Sequence, residues 1–264
     1  MSTEAKERLK KVESILVTQM TTKNNQAPYD RLISKYGINI DYRPFTEVQA
    51  VTAKEFRKQK INLENFTAII LTGKSAVDHF FRLCEDMRYK VSSDLKYFCT
   101  SEAIALYLQK HIVYRKRKVF FGKRALQDLK PALLKHRKKE KFLLPCSNLG
   151  KKNFIDFLTE NEFDFKESMM YKAASSDISD LEDVFYDILV FFSPLSINSL
   201  YDNFPNFKQN NTRIAAYGKA TKQSILDKGL ILDIPMPNPE RPEIKSMTMA
   251  IEAYIKETKA AVQE

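Results

Sequence analysis

The chain has 264 residues, 44% of them hydrophobic and 29% charged, with a formal net charge of +10. That length holds one large domain or two ordinary ones, at roughly 100–200 residues each. The longest apolar runs, such as Phe66–Leu71 and Ile188–Phe192, are strand-sized, against the ~20 residues a membrane helix needs, so no membrane association is predicted.

The N-terminal stretch Met1–Lys11 is polar and charged with no apolar run behind it, so no secretory leader is expected and the location is read as cytoplasmic. A β-rich segment, Val12–Thr18, precedes a helical one around Tyr29–Tyr36, which Gly37 stops. Phe66–Thr72 packs apolar residues almost continuously, the pattern of a strand buried on both faces. It leads into a helix over Ser75–Met87, where Ala76, Val77, Phe80, Phe81 and Cys84 fall at helical spacing. Three more such pairs follow: Tyr97–Cys99 with Glu102–Lys110, Lys118–Phe121 with Ala125–Leu134, and Phe142–Leu144 with Lys151–Glu160. After the extended stretch Asp164–Ala173 the alternation resumes with Ile188–Phe192 and a helix from Ser196, then Arg213–Tyr217 and a helix to Asp227. A final helix runs from Ser246 to Lys259. Strands alternating with helices of this length predict an α/β protein with parallel sheets and helices on both faces.

Ala68–Val77 and Leu189–Asn198 share one design: an apolar strand, a small hydroxyl residue and a helix start. A second βα unit follows each at a similar interval. This duplication predicts two α/β domains, the first discontinuous (residues 1–42 and 174–264) and the second spanning 50–162. Residues 43–49 and 163–173 then form a two-stranded linker. Pro44 bars a helix interior in the first crossing, and Phe163, Phe165 and Tyr171 favour strand in the second.

Several chemistries lack material. The three cysteines (Cys84, Cys99, Cys146) and three histidines (His79, His111, His136) show no metal-ligand spacing, so no metal is expected. There is no GxGxxG, no P-loop and no GxSxG elbow, and only six glycines from which to build such loops. The positive charge favours a polyanionic partner, either nucleic acid or a small polycarboxylate. The basic runs Tyr114–Lys118 and Lys135–Lys139 are not interleaved with aromatic platforms and read as solvated faces, so no nucleic acid is expected.

Ligands of open parallel sheets bind beyond the carboxyl ends of the strands, where helix N-termini offer unpaired N–H groups to anions. This sequence puts small and hydroxyl residues there: Thr18, Thr72, Thr100, Ser101, Ser147, Asn148, Ser193, Gly218 and Thr221. Such a site works mainly by shaping and orienting its substrate.

Phe142-Leu-Leu-Pro-Cys-Ser-Asn-Leu149, followed by a helix and then Ser168-Met-Met-Tyr-Lys-Ala173, resembles the uroporphyrinogen-III synthase family. Ile188–Pro194 and Arg213-Ile-Ala-Ala-Tyr-Gly-Lys-Ala-Thr221 are similar to two further elements of that family, and Ala68–Val77 to the matching element of the other domain. The resemblance implies two flavodoxin-like parallel-sheet domains joined by a two-stranded linker, with an active-site cleft between them. It implies a cofactor-free, monomeric enzyme acting on hydroxymethylbilane, a linear tetrapyrrole bearing eight carboxylates. The terminal hydroxyl leaves as water, ring D inverts through a spiro intermediate, and the macrocycle closes as uroporphyrinogen III. Tyr171 matches the family tyrosine that assists departure of the hydroxyl. Thr72, Thr100, Ser101, Ser147, Asn148, Ser193, Arg213, Gly218 and Thr221 are assigned to substrate binding. The sequence departs from the family at Thr18-Gln19, where an arginine is usual after the threonine, and at Glu102, where a threonine is usual. Two other readings fit the same charge: a catalytically silent two-lobed protein for an anionic ligand, and a nucleic-acid-binding protein.

Overall fold

The computed structural model describes residues 8–21, 23–123, 126–149 and 152–263. Met1–Glu7 and the predicted helix starts at Ala125 and Lys151 lie outside the described residues. The chain divides into two compact units, Met1–Glu47 with Ala174–Glu264 and Val48–Ala173.

The first unit opens with β1 (Ser14–Val17), α1 (Lys23–Tyr36) and β2 (Asn39–Tyr42). α1 begins six residues ahead of the predicted start and carries Pro28 in its second turn, at the loss of one backbone donor. It ends where Gly37 adopts φ 67° and donates to the Ile33 carbonyl at 2.9 Å, a left-handed cap that glycine takes without strain. β2 is not among the strands predicted from the sequence. It is an edge strand with a single buried residue, Ile40, too short to give a periodic signal.

β3 (Thr46–Ala50) leads into the second unit, followed by α2 (Ala53–Lys58). Thr52 and Glu55 close a capping box at the start of α2, each side chain bonding to the other's backbone N–H. This signature stands in the sequence, though no helix was predicted there. The unit continues with β4 (Ala68–Leu71), α3 (Lys74–Asp86), β5 (Lys96–Cys99), α4 (Glu102–Leu108), β6 (Val119–Phe121), α5 (Leu126–His136), β7 (Phe142–Ser147), α6 (Lys152–Glu160) and β8 (Phe165–Ser175). The chain re-enters the first unit along β8 and adds β9 (Ile188–Phe191), α7 (Pro194–Asn203), β10 (Arg213–Tyr217), α8 (Lys219–Asp227), β11 (Ile234–Met236) and α9 (Met247–Gln263). β11, also unpredicted, is a three-residue edge strand interrupted by Pro235.

The first sheet has the order β11-β10-β9-β1-β2, all parallel, which is the flavodoxin-like 2-1-3-4-5 arrangement. The second has the order β3-β8-β7-β4-β5-β6. Its parallel strands β4 to β8, counted in chain order, run 3-2-1-4-5, the other doubly wound arrangement. The direction of winding therefore reverses between β1 and β9 in one unit and between β4 and β7 in the other.

Burial on both faces explains the continuous apolar runs. In β4, Ile69 and Leu71 pack with Val77 and Phe80 of α3, while Ala68 and Ile70 pack with Leu129, Leu133 and Leu158 on the other face. In β9, Ile188 and Val190 meet Leu32 and Ile251, and Leu189 and Phe191 meet Ile197 and Ile225. Each such side chain contributes about 1.5–3 kcal/mol on burial. Among the described residues, no helix is long and apolar enough to cross a membrane.

Candidate active site

At the β4/β7 reversal of the second unit, Thr72 follows the last residue of β4, and Ser147 closes β7. The β7–β8 register slips here: Cys146 pairs with Met169, and the next residue, Ser147, pairs with Tyr171. The skipped residue, Met170, is fully buried in the core, and Tyr171 is thereby set beside Ser147 at the carboxyl edge. Thr72, Pro145, Ser147, Phe154, Ile155 and Tyr171 are among the residues lining a cavity of about 120 Å³.

Burial raises the pKa of the Tyr171 phenol and the nearby Cys146 thiol adds to the rise, while a hydrogen-bonding contact with the Thr72 side chain partly opposes it. The phenol therefore keeps its proton at neutral pH. Its ring stacks on His79 of α3, with centroids 5.1 Å apart and planes 16° from parallel. Burial, and then Arg82, lower the pKa of His79 against the pull of Asp78, so the imidazole is neutral. Its Nδ1 is enclosed without a hydrogen-bond partner among the described residues. Nothing in the sequence marked His79, because its role depends on which strand lies across from α3.

The other predicted groups of this unit are placed as follows. Thr100 donates to the Thr72 carbonyl at 3.3 Å, tying the ends of β4 and β5 together. Ser101 precedes α4 without capping it through its side chain, and Glu102 is the first residue of that helix. The Ser147 hydroxyl accepts from the Leu149 N–H at 3.2 Å. Asn148 donates to the Ala173 carbonyl at 3.1 Å and accepts from the Ala173 N–H at 2.9 Å, imitating one more backbone pair of the β7–β8 ladder.

In the first unit, Thr18 donates to the Val190 carbonyl at 2.9 Å and bridges β1 to β9. Ser193 caps α7, accepting from the Ser196 N–H at 3.2 Å, with Pro194 at the first helical position. Gly218 precedes α8 at φ 89°, a conformation that favours glycine, and its N–H donates to the Met236 carbonyl at 2.8 Å. Thr221 is buried in the first turn of α8. Helix starts at adjacent strand ends attract anions through their first N–H groups.

Arg213 is corrected by the structure. As the first residue of β10 it lies at the amino end of the sheet, opposite the carboxyl ends that carry the other candidates. Only 1% exposed, it donates to the carbonyls of Asn211 (2.6 Å) and Lys11 (2.9 Å) and stands 3.4 Å from Asp187 Oδ1. It is a structural cation joining three segments. Among the described residues, no cluster of three or more His, Cys, Asp or Glu side chains is arranged to hold a metal.

The sequence profile of the family described as uroporphyrinogen-III synthase HemD matches residues 27–248, most of the chain. The chain belongs to the uroporphyrinogen-III synthase family. No curated protein sequence matches it. Among solved structures, the uroporphyrinogen-III synthetase of Helicobacter pylori is 17% identical, with a TM-score of 0.55 over 92% of this chain and 99% of that one. A mutant uroporphyrinogen III synthase of Thermus thermophilus is 12% identical, with a TM-score of 0.47 over 95% of this chain and 99% of that one. At 17% identity the likeness to the Helicobacter structure speaks for the fold alone, and the profile match speaks for the family. The activity that follows is that of a cyclising lyase of tetrapyrrole biosynthesis acting on a tetrapyrrole. Neither the silent binding protein nor the nucleic-acid binder is favoured over it.

Proposed function

We propose that Tyr171 is the proton donor with which this chain cyclises hydroxymethylbilane to uroporphyrinogen III. The observation carrying this reading is the half-buried phenol beside Thr72, in a cavity at the reversal point of a parallel sheet. The phenolic O–H gives its proton to the terminal hydroxyl of the substrate as the C–O bond breaks, and water leaves. The pyrrole N–H proton released on forming the azafulvene restores the phenol, so no net proton is consumed. The substituted carbon of ring D then attacks the azafulvene carbon, and the spiro intermediate rearranges and closes with ring D inverted. A group with a pKa above neutrality suits an acid that must be protonated before each turnover.

Small and hydroxyl residues at the carboxyl ends of the strands hold the substrate. Thr72, Thr100, Ser101 and Ser147 serve in the second unit, with Asn148 fixing the end of β8. The helix starts at Ser193 and Gly218, with Thr221, serve in the first. Residues 43–49 and 163–173 form the linker. The enzyme works as a cytoplasmic monomer without cofactor, metal, membrane or nucleic acid.

A coupled assay tests the activity: hydroxymethylbilane is generated by its own synthase in the presence of this chain, the product is oxidised, and the type I and type III isomers are separated. Dominant type III product is expected. Type I alone from the folded protein overturns the reading, because the unassisted reaction gives the uninverted isomer.

A further inference from the structure

A cavity of about 370 Å³ lies at the amino end of the second sheet, away from Tyr171. It sits between the loop before β5 and the loop before β6, and Phe81, Leu95, Tyr97, His111, Arg115 and Lys118 are among its lining residues. The volume falls in the range of roughly 300–1,000 Å³ typical of small-molecule sites. A tetrapyrrole with eight carboxylates has no counterpart here, since the Glu85 carboxylate also lines the wall and repels a polyanion.

Three features point to an occupant. The walls are aromatic: Phe81 stacks on His111 with centroids 4.5 Å apart and planes 8° from parallel, and Tyr97 lies 6.4 Å from Phe81 at 26°. Second, Tyr97, only 4% exposed, lines the cavity, and burial raises the pKa of its phenol, so the wall keeps an O–H donor. Third, the basic run Tyr114–Lys118, read from sequence as a solvated face, sends two of its cations to the cavity. Lys118 is held by Asp94 at 2.7 Å and by the Ser93 carbonyl. Arg115 makes no side-chain hydrogen bond or ion pair among the described residues and is available to a ligand. Val113, 83% exposed, gives the rim an apolar edge.

We infer that this cavity is a second, non-catalytic binding site for a flat, largely apolar monoanion, whose rings lie against the Phe81–His111 stack and Tyr97 and whose acidic group is taken by Arg115. The site is independent of the tetrapyrrole reaction, so its test needs no turnover. The full chain is titrated with anilinonaphthalenesulfonate, an aromatic monoanion that fluoresces when withdrawn from water. One saturable site per chain is expected. Arg115→Glu weakens it by about 10-fold or more, the scale of one hydrogen bond to a charged group. Tyr97→Phe weakens it by about 3-fold through loss of a neutral hydrogen bond. Tyr171→Phe leaves it unchanged, and circular dichroism checks that each variant is folded. Binding that does not saturate, or that both Arg115→Glu and Tyr97→Phe leave undiminished, overturns the assignment by placing the dye elsewhere.

Discussion

The carboxyl ends of the two sheets are built from different materials. In the first unit, Thr18 is bonded to the Val190 carbonyl and Ser193 to the Ser196 N–H, so the hydroxyls are engaged in local structure and the helix starts offer main-chain donors. In the second unit a titratable phenol stands at the reversal point, stacked on a neutral imidazole and bordering a cavity. The same topological position is thus built in two ways: one sheet ends in main-chain N–H groups at its helix starts, the other in a protonated phenol. A duplicated fold does not imply a duplicated chemistry.

The largest effect separates structure from site. Arg213→Ala is expected to destabilise the first unit by about 3 kcal/mol, since it strips a buried cation from its carbonyl and carboxylate partners. The value sits low in that range because Asp187 keeps bonds from the Glu13 and Ser14 N–H groups at 2.8 and 3.0 Å. A urea unfolding midpoint measures it. Unchanged stability with a raised KM would return Arg213 to substrate binding and erase the distinction between the two ends of the sheet.

Tyr171→Phe has the reverse signature: kcat falls by about 100-fold, the lower end of the range for general acids, while the unfolding midpoint stays put. The wild-type pH profile sharpens this. The donor is the protonated phenol and its pKa is raised. Activity therefore holds through pH ~10, the ordinary tyrosine value, and declines only above it. The alkaline limb disappears in the Phe variant. An unchanged kcat in that variant removes the acid from the second unit, and with it the contrast between the units.

His79→Ala removes the ring that fixes the phenol and is expected to lower kcat by about 2–10-fold, the worth of an aromatic pair. His79→Phe keeps the stack and restores kcat. The wild-type acid limb lies below pH ~6.5, because burial and Arg82 depress the His79 pKa against Asp78. It is lost in the Phe variant, which has no proton to bind. Equal kcat in the wild type and the Ala variant would leave Tyr171 positioned by its strand alone.

Much of the architecture was legible because burial on both faces writes itself as unbroken apolar runs, as in Ala68–Leu71 and Ile188–Phe191. The edge strands Asn39–Tyr42 and Ile234–Met236 were not, since short segments with few buried residues leave little pattern. The hydroxyls at Thr72, Ser147 and Ser193 were legible as strand ends followed by helix starts. Arg213 was misplaced for a related reason: family resemblance marked its segment, but in a parallel strand the first residue lies at the amino edge. His79 was illegible, because a pairing between α3 and β8 is settled by strand order, and strand order is not a local property of the sequence.

Glu102 offers the smallest and most discriminating effect. It begins α4 at the carboxyl end of β5, exposed, on the same edge as Thr72 and Thr100. A carboxylate there opposes a polycarboxylate substrate, and replacing it with the threonine usual in the family should lower KM. Two unit charges 4 Å apart in water interact by about 1 kcal/mol, a factor of about 5, and greater separation reduces this. A 2–5-fold fall in KM for Glu102→Thr is therefore the ceiling at low salt. It should shrink at 0.15 M ionic strength, where screening acts over about 8 Å. kcat should not move, because the residue touches no reacting atom. A KM that falls equally at all salt concentrations would indicate a new hydrogen bond from the threonine rather than relief of repulsion. A KM that does not move at low salt would put the substrate carboxylates out of reach of α4, and the second unit would then hold its substrate through the Thr72–Tyr171 edge alone.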